Sequence, residues 1–204
     1  MKQPQSKILV IDDLITPTYQ NALESLVQSK AFSWSFESST LVQNNSSPPN
    51  WFADKNTAEN FQFTHTLYNH YDKNASKDSF FDLFLPILFT LQDKIQQHTN
   101  LIRLKTNMLT QSTPVSAECH HTAHIDDYNP HIVMIYYINE SDGDTVIFNE
   151  TYGSTFDSLT VKQRVSPKKG RAVVFSGNHF HASSSPLKTP VRLVLNCTLA
   201  TGKI

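Results

Sequence analysis

Histidines and acidic residues cluster in one segment of this 204-residue chain, and two further histidines follow much later. His124 and Asp126 are separated by a single residue, whereas His179 and His181 come after the apolar run GRAVVF. Side chains at positions i and i+2 of an extended chain point to the same side. His124 and Asp126 can therefore offer an imidazole and a carboxylate to one metal ion, with Ile125 turned away.

A third ligand from the later histidines would complete a set of two imidazoles and one carboxylate. Such a set covers one face of an octahedral metal and leaves positions open for co-substrate and oxygen, which is typical of non-haem iron(II) oxygenases. Arg192 follows at the start of the strong apolar run VRLVLN. A planar, permanently charged guanidinium suits a two-pronged grip on the distal carboxylate of a dicarboxylic acid. The spacing thus predicts an iron site with a carboxylate anchor.

These residues lie in a longer pattern that resembles a known family. The runs HIDDYNP, MIYYIN, GDTVIF, VSPKKGRAVVF, HASSSP and VRLVLN look like the iron(II)/2-oxoglutarate dioxygenase domain of prolyl 4-hydroxylase type, and most like compact members encoded by marine bacteriophages. The likeness covers residues 101–200 well and extends more loosely to FSWSF, FQFTHTLY and LFLPIL. It implies hydroxylation of a C–H bond with iron(II), dioxygen and 2-oxoglutarate, which is decarboxylated to succinate. The carboxylate ligand favours hydroxylation over halogenation.

The resemblance also implies roles for single residues. It assigns the iron ligands and the main 2-oxoglutarate anchor as His124, Asp126, His181 and Arg192. Tyr137 matches a tyrosine that helps to hold the same carboxylate, and alternation places Tyr136 on the opposite face. Arg103, Lys105 and Asn107 share one face of the run LIRLKTNML, and of these Lys105 and Asn107 are weaker candidates for co-substrate contact. Asn196 shares a face with Arg192, so it is a candidate for the pocket wall.

Several alternatives remain open at the level of the sequence. His179 competes with His181, although the run that follows His181 fits the family better. His120 and His121 could be the metal ligands instead, although neither has a carboxylate two residues later. Cys119 and His121 would suit a structural zinc, but an obvious second pair is missing. The cationic run 162–171 could bind phosphate, yet a solvated hairpin is the commoner use.

Two other classes of protein would also place a metal in such a fold. One is a non-catalytic jelly-roll module, and the other is a cupin-like dioxygenase that needs no 2-oxoglutarate. Arg192 argues against a purely structural site, which has no use for an anchor near the metal.

The elements that must position these residues follow from the hydrophobic pattern. KILVI at 7–11 and FQFTHTLY at 61–68 predict strands, and Thr16-Pro17 predicts the start of a helix that ends near residue 29 or 30. Residues 79–97 predict a second helix, kinked or broken at Pro86. The Ser-, Asn- and Pro-rich stretch 38–60 predicts an irregular loop. Trp34 and Trp51 lie at its two sides, where fixing the loop to the body is the commoner use and contact with the substrate is the alternative.

From residue 101 onward, short β-branched runs alternate with turns, which indicates an antiparallel sandwich or barrel. We expect an α+β fold: an antiparallel double-stranded β-helix (jelly roll) with N-terminal helices packed on one sheet. Residues 1–204 would form a single domain, with 1–100 as a helical and loop support region and 101–204 as the catalytic core.

Composition bounds the partners and the compartment. With 17 basic and 18 acidic residues, the chain has no general excess of positive charge for nucleic acid, so a peptidyl or small-molecule substrate is expected. The apolar stretch 80–91 is too short to cross a bilayer. Two cysteines without a secretory signal favour a reduced, cytoplasmic protein, within the host cell if phage-encoded. The oligomeric state has no clear signal in the sequence.

Overall fold

The computed structural model describes residues 7–41, 49–72, 77–113, 116 and 118–201. Its helical segments are α1 (Pro17–Val27), a 3-10 helix (Phe81–Phe84) and α2 (Leu85–Ile95). Its strands are β1 (Leu9–Ile11), β2 (Ser35–Glu37), β3 (Trp51–Phe52), β4 (Gln62–Asn69), β5 (Asn100–Thr110), β6 (Ala123–His124), β7 (His131–Tyr137), β8 (Thr145–Thr151), β9 (Val161–Val165), β10 (Ala172–Ser176), β11 (His179–Ser183) and β12 (Val191–Ala200).

The strands form two antiparallel sheets. The larger sheet has the order β1-β10-β7-β12-β5-β4-β2, and the smaller one has the order β3-β6-β11-β8-β9. Three strands of the larger sheet, β1, β2 and β4, come from the first hundred residues, so the N-terminal region extends the sheet as well as covering it. Two antiparallel sheets with helices against one of them match the predicted double-stranded β-helix.

The larger sheet has a helix-facing side and a side that faces the smaller sheet. On the helix-facing side, Leu23 and Val27 of α1 and Leu91 of α2 join one buried cluster with Leu104 and Leu195 of the sheet. A second cluster lies between the sheets; its buried members are Val133, Ile135, Tyr137, Ile147, Val165, Val173, Phe175 and Val194. Alternation along β7 and β12 divides their side chains between the two clusters.

The second predicted helix is divided. The 3-10 helix at 81–84 precedes α2, and Pro86 lies in the first turn of α2. A proline there interrupts no helical hydrogen bond, because the first N–H groups of a helix have no partner within it. The break expected at Pro86 is therefore a helix start.

The stretch 38–60 is less irregular than predicted. Trp51 and Phe52 form β3 and pair with His124 and Ala123 of β6, while residues 42–48 lie outside the described part of the chain. Trp34 packs on Phe32, with ring centroids 5.2 Å apart, and its indole N–H donates to the Val27 carbonyl oxygen at 3.2 Å. Trp34 is therefore fixed to the body, as expected.

No helix within the described residues has the length and apolar character needed to cross a membrane. Cys119 and Cys197 are both free thiols.

Candidate active site

The pairing of two short strands brings the predicted metal ligands together. His124 of β6 is the cross-strand partner of His181 of β11, and Asp126 follows two residues after His124. One ligand atom from each of these three residues lies within 4.8 Å of the others. Asp126 Oδ1 is 3.8 Å from His124 Nε2, and Asp126 Oδ2 is 3.7 Å from His181 Nε2. Within the described ranges, this is the one group of three or more histidine, cysteine or acidic residues close enough to hold a metal.

Backbone carbonyls orient both imidazoles. His124 Nδ1 lies 3.2 Å from the Thr122 carbonyl oxygen, and His181 Nδ1 lies 3.3 Å from that of His179. An Nδ1–H bonded in this way leaves Nε2 as the lone-pair donor, the usual arrangement for a metal-binding histidine. Burial lowers the pKa of His181 to about 3, with a further contribution from His124, so the ring is neutral at physiological pH. Neutral imidazole is the form that binds metals.

Arg103 holds the carboxylate ligand. Its Nη2 donates to Asp126 Oδ1 at 2.6 Å across the space between the sheets. Burial alone would raise the pKa of Asp126, but the Arg103 guanidinium, with smaller effects of His181 and His124, holds that pKa well below its usual range. Asp126 is therefore ionised, with one oxygen already paired.

The remaining ligand atoms are those that a metal would need. Asp126 Oδ2 and His181 Nε2 are buried and have no hydrogen-bond partner. Buried polar atoms are rarely left unpaired, and two facing acceptor atoms without partners fit a cation between them. Carboxylate and imidazole donors are also the set that iron(II) takes in oxygenases. The donor set and the unpaired atoms thus fit the predicted iron.

A polar pocket extends from this centre to Arg192. It is lined by Thr40, Gln62, Lys105, Asn107, Leu109, His124, Asp126, Ile135, Thr145, His181, Ala182, Ser183, Arg192, Val194 and Asn196. Arg192 is 3% exposed, and it donates from Nε to the Gly143 carbonyl oxygen at 2.7 Å and from Nη2 to Thr145 Oγ1 at 2.8 Å. A Cβ at position 143 would lie 2.5 Å from the Ser184 carbonyl oxygen and 3.0 Å from Arg192 Cδ, so this approach requires Gly143. The pocket thus extends from the metal ligands to a buried cation whose position is fixed.

Tyr137 lies behind the anchor rather than in the lining of this pocket. Its hydroxyl donates to Thr145 Oγ1 at 2.7 Å and lies 3.1 Å from the Val165 carbonyl oxygen. Arg192 Cζ stands 5.6 Å from the centroid of its ring. In this arrangement Tyr137 supports Arg192 and Thr145. Tyr136 lies in the helix-facing cluster, as alternation predicted.

The three weaker candidates line the pocket. Lys105 and Asn196 are cross-strand partners, and Asn107 Nδ2 donates to Gln62 Oε1 at 2.8 Å. The side-chain oxygens of Asn107 and Asn196 are buried without partners. Burial, with a smaller effect of Arg103, lowers the pKa of Lys105 to about 8. These groups can therefore contact a polar ligand.

The competing histidines have other partners. His179 Nε2 lies 3.2 Å from Lys162 Nζ, whereas His120 Nε2 lies 3.6 Å from Asp54 Oδ1. His121 Nδ1 and Nε2 are both within hydrogen-bond distance of serine hydroxyls. None of these three, nor Cys119, belongs to a metal-sized group among the described residues.

The basic run 162–171 is largely paired within the protein. Arg171 Nε and Lys168 Nζ contact Asp12 at 2.6 and 3.2 Å, and Lys169 Nζ contacts Glu24. The run thus ties the hairpin between β9 and β10 to the N-terminal region, which agrees with a structural role rather than a phosphate patch.

Sequence reasoning missed Arg103, Thr145 and Ser183 among the polar residues of this site. It placed Arg103 on the correct face of its strand but gave it no role, and it did not consider Thr145 or Ser183. The face of Arg103 follows from alternation, whereas its contact with Asp126 depends on how the two sheets face each other. Thr145 and Ser183 are cross-strand partners on β8 and β11, a pairing with no local signal.

The sequence matches the family model of the 2OG-Fe(II) oxygenase superfamily over residues 109–199. That range contains all three candidate ligands and Arg192. The match lies on the predicted catalytic core, and the protein is a 2-oxoglutarate-dependent dioxygenase that uses iron(II) and dioxygen. The predicted class of enzyme and its cofactors are thereby confirmed. A search of curated proteins gives no match, and the likeness to bacteriophage members stays a prediction.

Solved structures confirm the fold. A prolyl-4-hydroxylase from Pseudomonas putida is 12% identical with a TM-score of 0.55, and the likeness covers 96% of this chain and 93% of that chain. A prolyl hydroxylase from Trichoplax adhaerens, in complex with a peptide fragment of the hypoxia inducible factor oxygen degradation domain, is 10% identical with a TM-score of 0.56, covering 96% and 84%. HygX from Streptomyces hygroscopicus, with nickel, 2-oxoglutarate and hygromycin B bound, is 13% identical with a TM-score of 0.54, covering 95% and 82%.

Proposed function

We propose that this dioxygenase holds iron(II) with His124, Asp126 and His181 and hydroxylates a C–H bond of a peptidyl or small-molecule substrate. The observation that carries the assignment is the pair of buried, unpartnered acceptor atoms, Asp126 Oδ2 and His181 Nε2, that face each other at 3.7 Å. Iron(II), when bound, supplies the activation of dioxygen that is coupled to the decarboxylation of 2-oxoglutarate. The side chains around it supply orientation, charge and exclusion of water.

The side chains that line the pocket support one direction for 2-oxoglutarate. Arg192 is a buried cation, and the hydroxyls of Thr145 and Ser183 stand beside it, so this end suits the distal carboxylate. The keto-acid end then lies toward the metal ligands. The walls between these two ends of the pocket are lined by Lys105, Asn107 and Asn196, which offer polar contacts along the co-substrate. Tyr137 acts on the same carboxylate indirectly, by supporting Thr145 and Arg192.

Residues 1–204 are proposed to act as one dioxygenase domain. The support for this is the pairing of β1 with β10 and of β4 with β5, which joins the region 1–100 to the core 101–204 through one sheet. The first region also supplies Thr40 and Gln62 to the pocket wall.

The charge of the protein and the rim of the site both bear on the substrate class. Arg103, near the metal, is paired with Asp126, and Lys168, Lys169 and Arg171 of the cationic run are paired with Asp12 and Glu24. These four described cations are thus already engaged within the protein and are less available to grip a phosphate backbone, which favours a peptidyl or small-molecule substrate. Trp51 is the backbone partner of His124, and its indole N–H is buried without a partner, so it is a candidate donor to the substrate.

Succinate release tests the proposed reaction. The protein, loaded with iron(II) under air, is incubated with 2-oxoglutarate and panels of proline-rich peptides, free amino acids, small metabolites and oligonucleotides at physiological salt. We expect release above the uncoupled background with a peptide or small molecule, together with a product heavier by one oxygen atom. Stimulation by oligonucleotides alone, with a hydroxylated base, would overturn the substrate class. Succinate-free turnover without 2-oxoglutarate would favour a cupin-like reaction.

Arg192→Met tests the direction of the co-substrate. Loss of the charged partner of a buried carboxylate costs on the order of 2–5 kcal/mol, so 2-oxoglutarate should bind far more weakly while metal affinity changes little. Equal 2-oxoglutarate titrations of the variant and the parent would place the anchor elsewhere, with Lys105 the next candidate.

A further inference from the structure

His121 links the 2-oxoglutarate pocket to a buried hydrogen-bond chain. Its side chain is buried, with Nδ1 2.9 Å from Ser183 Oγ and Nε2 3.0 Å from Ser185 Oγ. Its backbone N–H donates to the Ser183 carbonyl oxygen at 2.8 Å, which fixes the two residues side by side. Ser183 lines the pocket and is the cross-strand partner of Thr145, the residue that receives Arg192 Nη2. The chain therefore ends at the carboxylate-binding end of the pocket.

Asn60 determines which groups donate and which accept along this hydrogen-bond chain. The Phe61 backbone N–H donates to Asn60 Oδ1 at 2.9 Å, so the other end of the amide, Nδ2, is the group that lies 3.1 Å from Ser185 Oγ. Asn60 Nδ2 can only donate, and Ser185 Oγ therefore accepts this bond. The hydrogen of the Ser185 hydroxyl then needs an acceptor of its own, and Ser185 is 7% exposed.

Only one neutral tautomer of His121 gives every donor and acceptor of this hydrogen-bond chain a partner. Burial lowers the pKa of His121 to about 4, so the ring carries a single N–H at pH 7. If the hydrogen is on Nδ1, Ser185 donates to Nε2, and Nδ1–H donates to Ser183 Oγ. If it is on Nε2, Ser185 receives two donors, and no acceptor for its own hydrogen is seen among the described residues. A buried hydroxyl left in that state is costly, which favours the first form.

We propose that His121 is a positioning residue that turns the Ser183 hydroxyl hydrogen into the pocket, where it donates to the distal carboxylate of 2-oxoglutarate beside Arg192. This rests on the proposed function of the pocket and adds a residue outside it. With Nδ1–H donating to Ser183 Oγ, the serine keeps its own hydrogen free for a ligand. With the other tautomer, Ser183 would donate to His121 and turn a lone pair toward an anion, which repels it.

Two variants of His121 separate this role from simple packing. The side-chain nitrogen of asparagine lies near the position of Nδ1, whereas that of glutamine lies near the position of Nε2. His121→Asn should keep a donor for Ser183 and retain most of the affinity for 2-oxoglutarate. His121→Gln and Ser183→Ala should each weaken binding about ten-fold or more, the usual loss for a hydrogen bond to a charged group. Affinity is measured by calorimetry on the Mn(II)-loaded protein without oxygen.

Two further measurements identify the mechanism. In a Ser183→Ala background, His121→Gln should cost almost nothing more, because the group that His121 orients is gone. The affinity for 2-oxopentanoate, which lacks the distal carboxylate, should be the same in the parent, His121→Gln and Ser183→Ala. Nitrogen-15 shifts of the zinc-loaded protein should show His121 protonated at Nδ1.

The possible failures are distinguishable. Absence of 2-oxoglutarate binding by the parent protein would overturn the proposed function itself. Normal binding by the parent together with an Nε2–H tautomer, or with additive losses in the double variant, would overturn the role of His121 alone. Equal losses in His121→Asn and His121→Gln would assign His121 to packing.

Discussion

The two faces of the larger sheet are built from the same strands but differ in composition. Along β12, the side chains that face the helices are Leu193, Leu195, Cys197 and Leu199. The alternate positions, Arg192, Val194 and Asn196, face the smaller sheet and line the pocket. On β5, Leu104 lies in the helix-facing cluster, whereas Lys105 and Asn107 line the pocket. One face is an apolar core and the other holds the chemistry.

This difference shows how the fold tolerates a polar interior. Side-chain oxygens of Asn107, Asn196 and Asp126 are buried without partners on the pocket face. Each such group costs on the order of 1–3 kcal/mol. The helix-facing cluster offsets that cost, since burying one large apolar side chain contributes about 1.5–3 kcal/mol. Stability and ligand binding should therefore respond to substitutions on opposite faces, which can be tested.

The largest expected effect is on the pocket side. His181→Ala should abolish metal binding, because it removes one of only three protein ligands, and should leave the fold largely intact. His179→Ala, two positions earlier on the same strand, is the matched control and should bind metal normally. Calorimetry with Mn(II) and circular dichroism measure the two properties. Normal binding in His181→Ala with loss in His179→Ala would transfer the ligand role to His179.

On the helix-facing side, Leu195→Ala should lower the free energy of unfolding by about 2–5 kcal/mol, because it leaves a cavity in a fully buried cluster. Its neighbour Asn196 points to the other face and has an unpaired oxygen, so Asn196→Ala should cost less than about 1 kcal/mol. Denaturant titration of the metal-free proteins measures both. Equal costs would show that the pocket face also carries stability.

A smaller effect should follow from the contact between Arg103 and the carboxylate ligand. Arg103→Gln should weaken metal binding about 10- to 100-fold, because groups that orient a ligand typically contribute that much. Arg171→Gln removes an ion pair of the same 2.6 Å length at Asp12, away from the metal, and should leave metal affinity unchanged. Tighter binding in Arg103→Gln would mean that repulsion between the guanidinium and the metal outweighs its orienting effect.

The smallest effect concerns Lys105 and depends on pH. Its pKa falls from 10.5 to about 8 on folding because burial disfavours the charged form. Below pH 8 the lysine is protonated in the folded and the unfolded state, and its buried charge opposes folding. Between the two pKa values the unfolded chain binds more protons than the folded one, so the free energy of unfolding rises with pH. Lys105→Met should therefore raise the melting temperature of the metal-free protein at pH 7, and the gain should shrink above pH 8. A constant gain across this window would contradict the burial of the charge.

Local patterns in the sequence determined much of the site. The separation of His124 and Asp126 by one residue was enough to place them on one side of the chain, and the alternation in VRLVLN placed Asn196 on the face of Arg192. The same alternation separated Tyr136 from Tyr137. These statements depend only on the two-residue period of an extended chain, which each strand carries by itself.

Tertiary structure decided which groups meet across the sheets. His181 lies opposite His124, and a shift in register between His179 and His181 on β11 moves His179 out of line, which alternation alone does not show. The two-residue strand at Trp51–Phe52 is too short for a periodic signal. The contacts of Arg103 with Asp126, and of His121 with Ser183, join residues far apart in the chain. They exist because the register of the strands sets which residues lie opposite each other. The two-residue period within one strand gives the face of each side chain but not its partner on another strand.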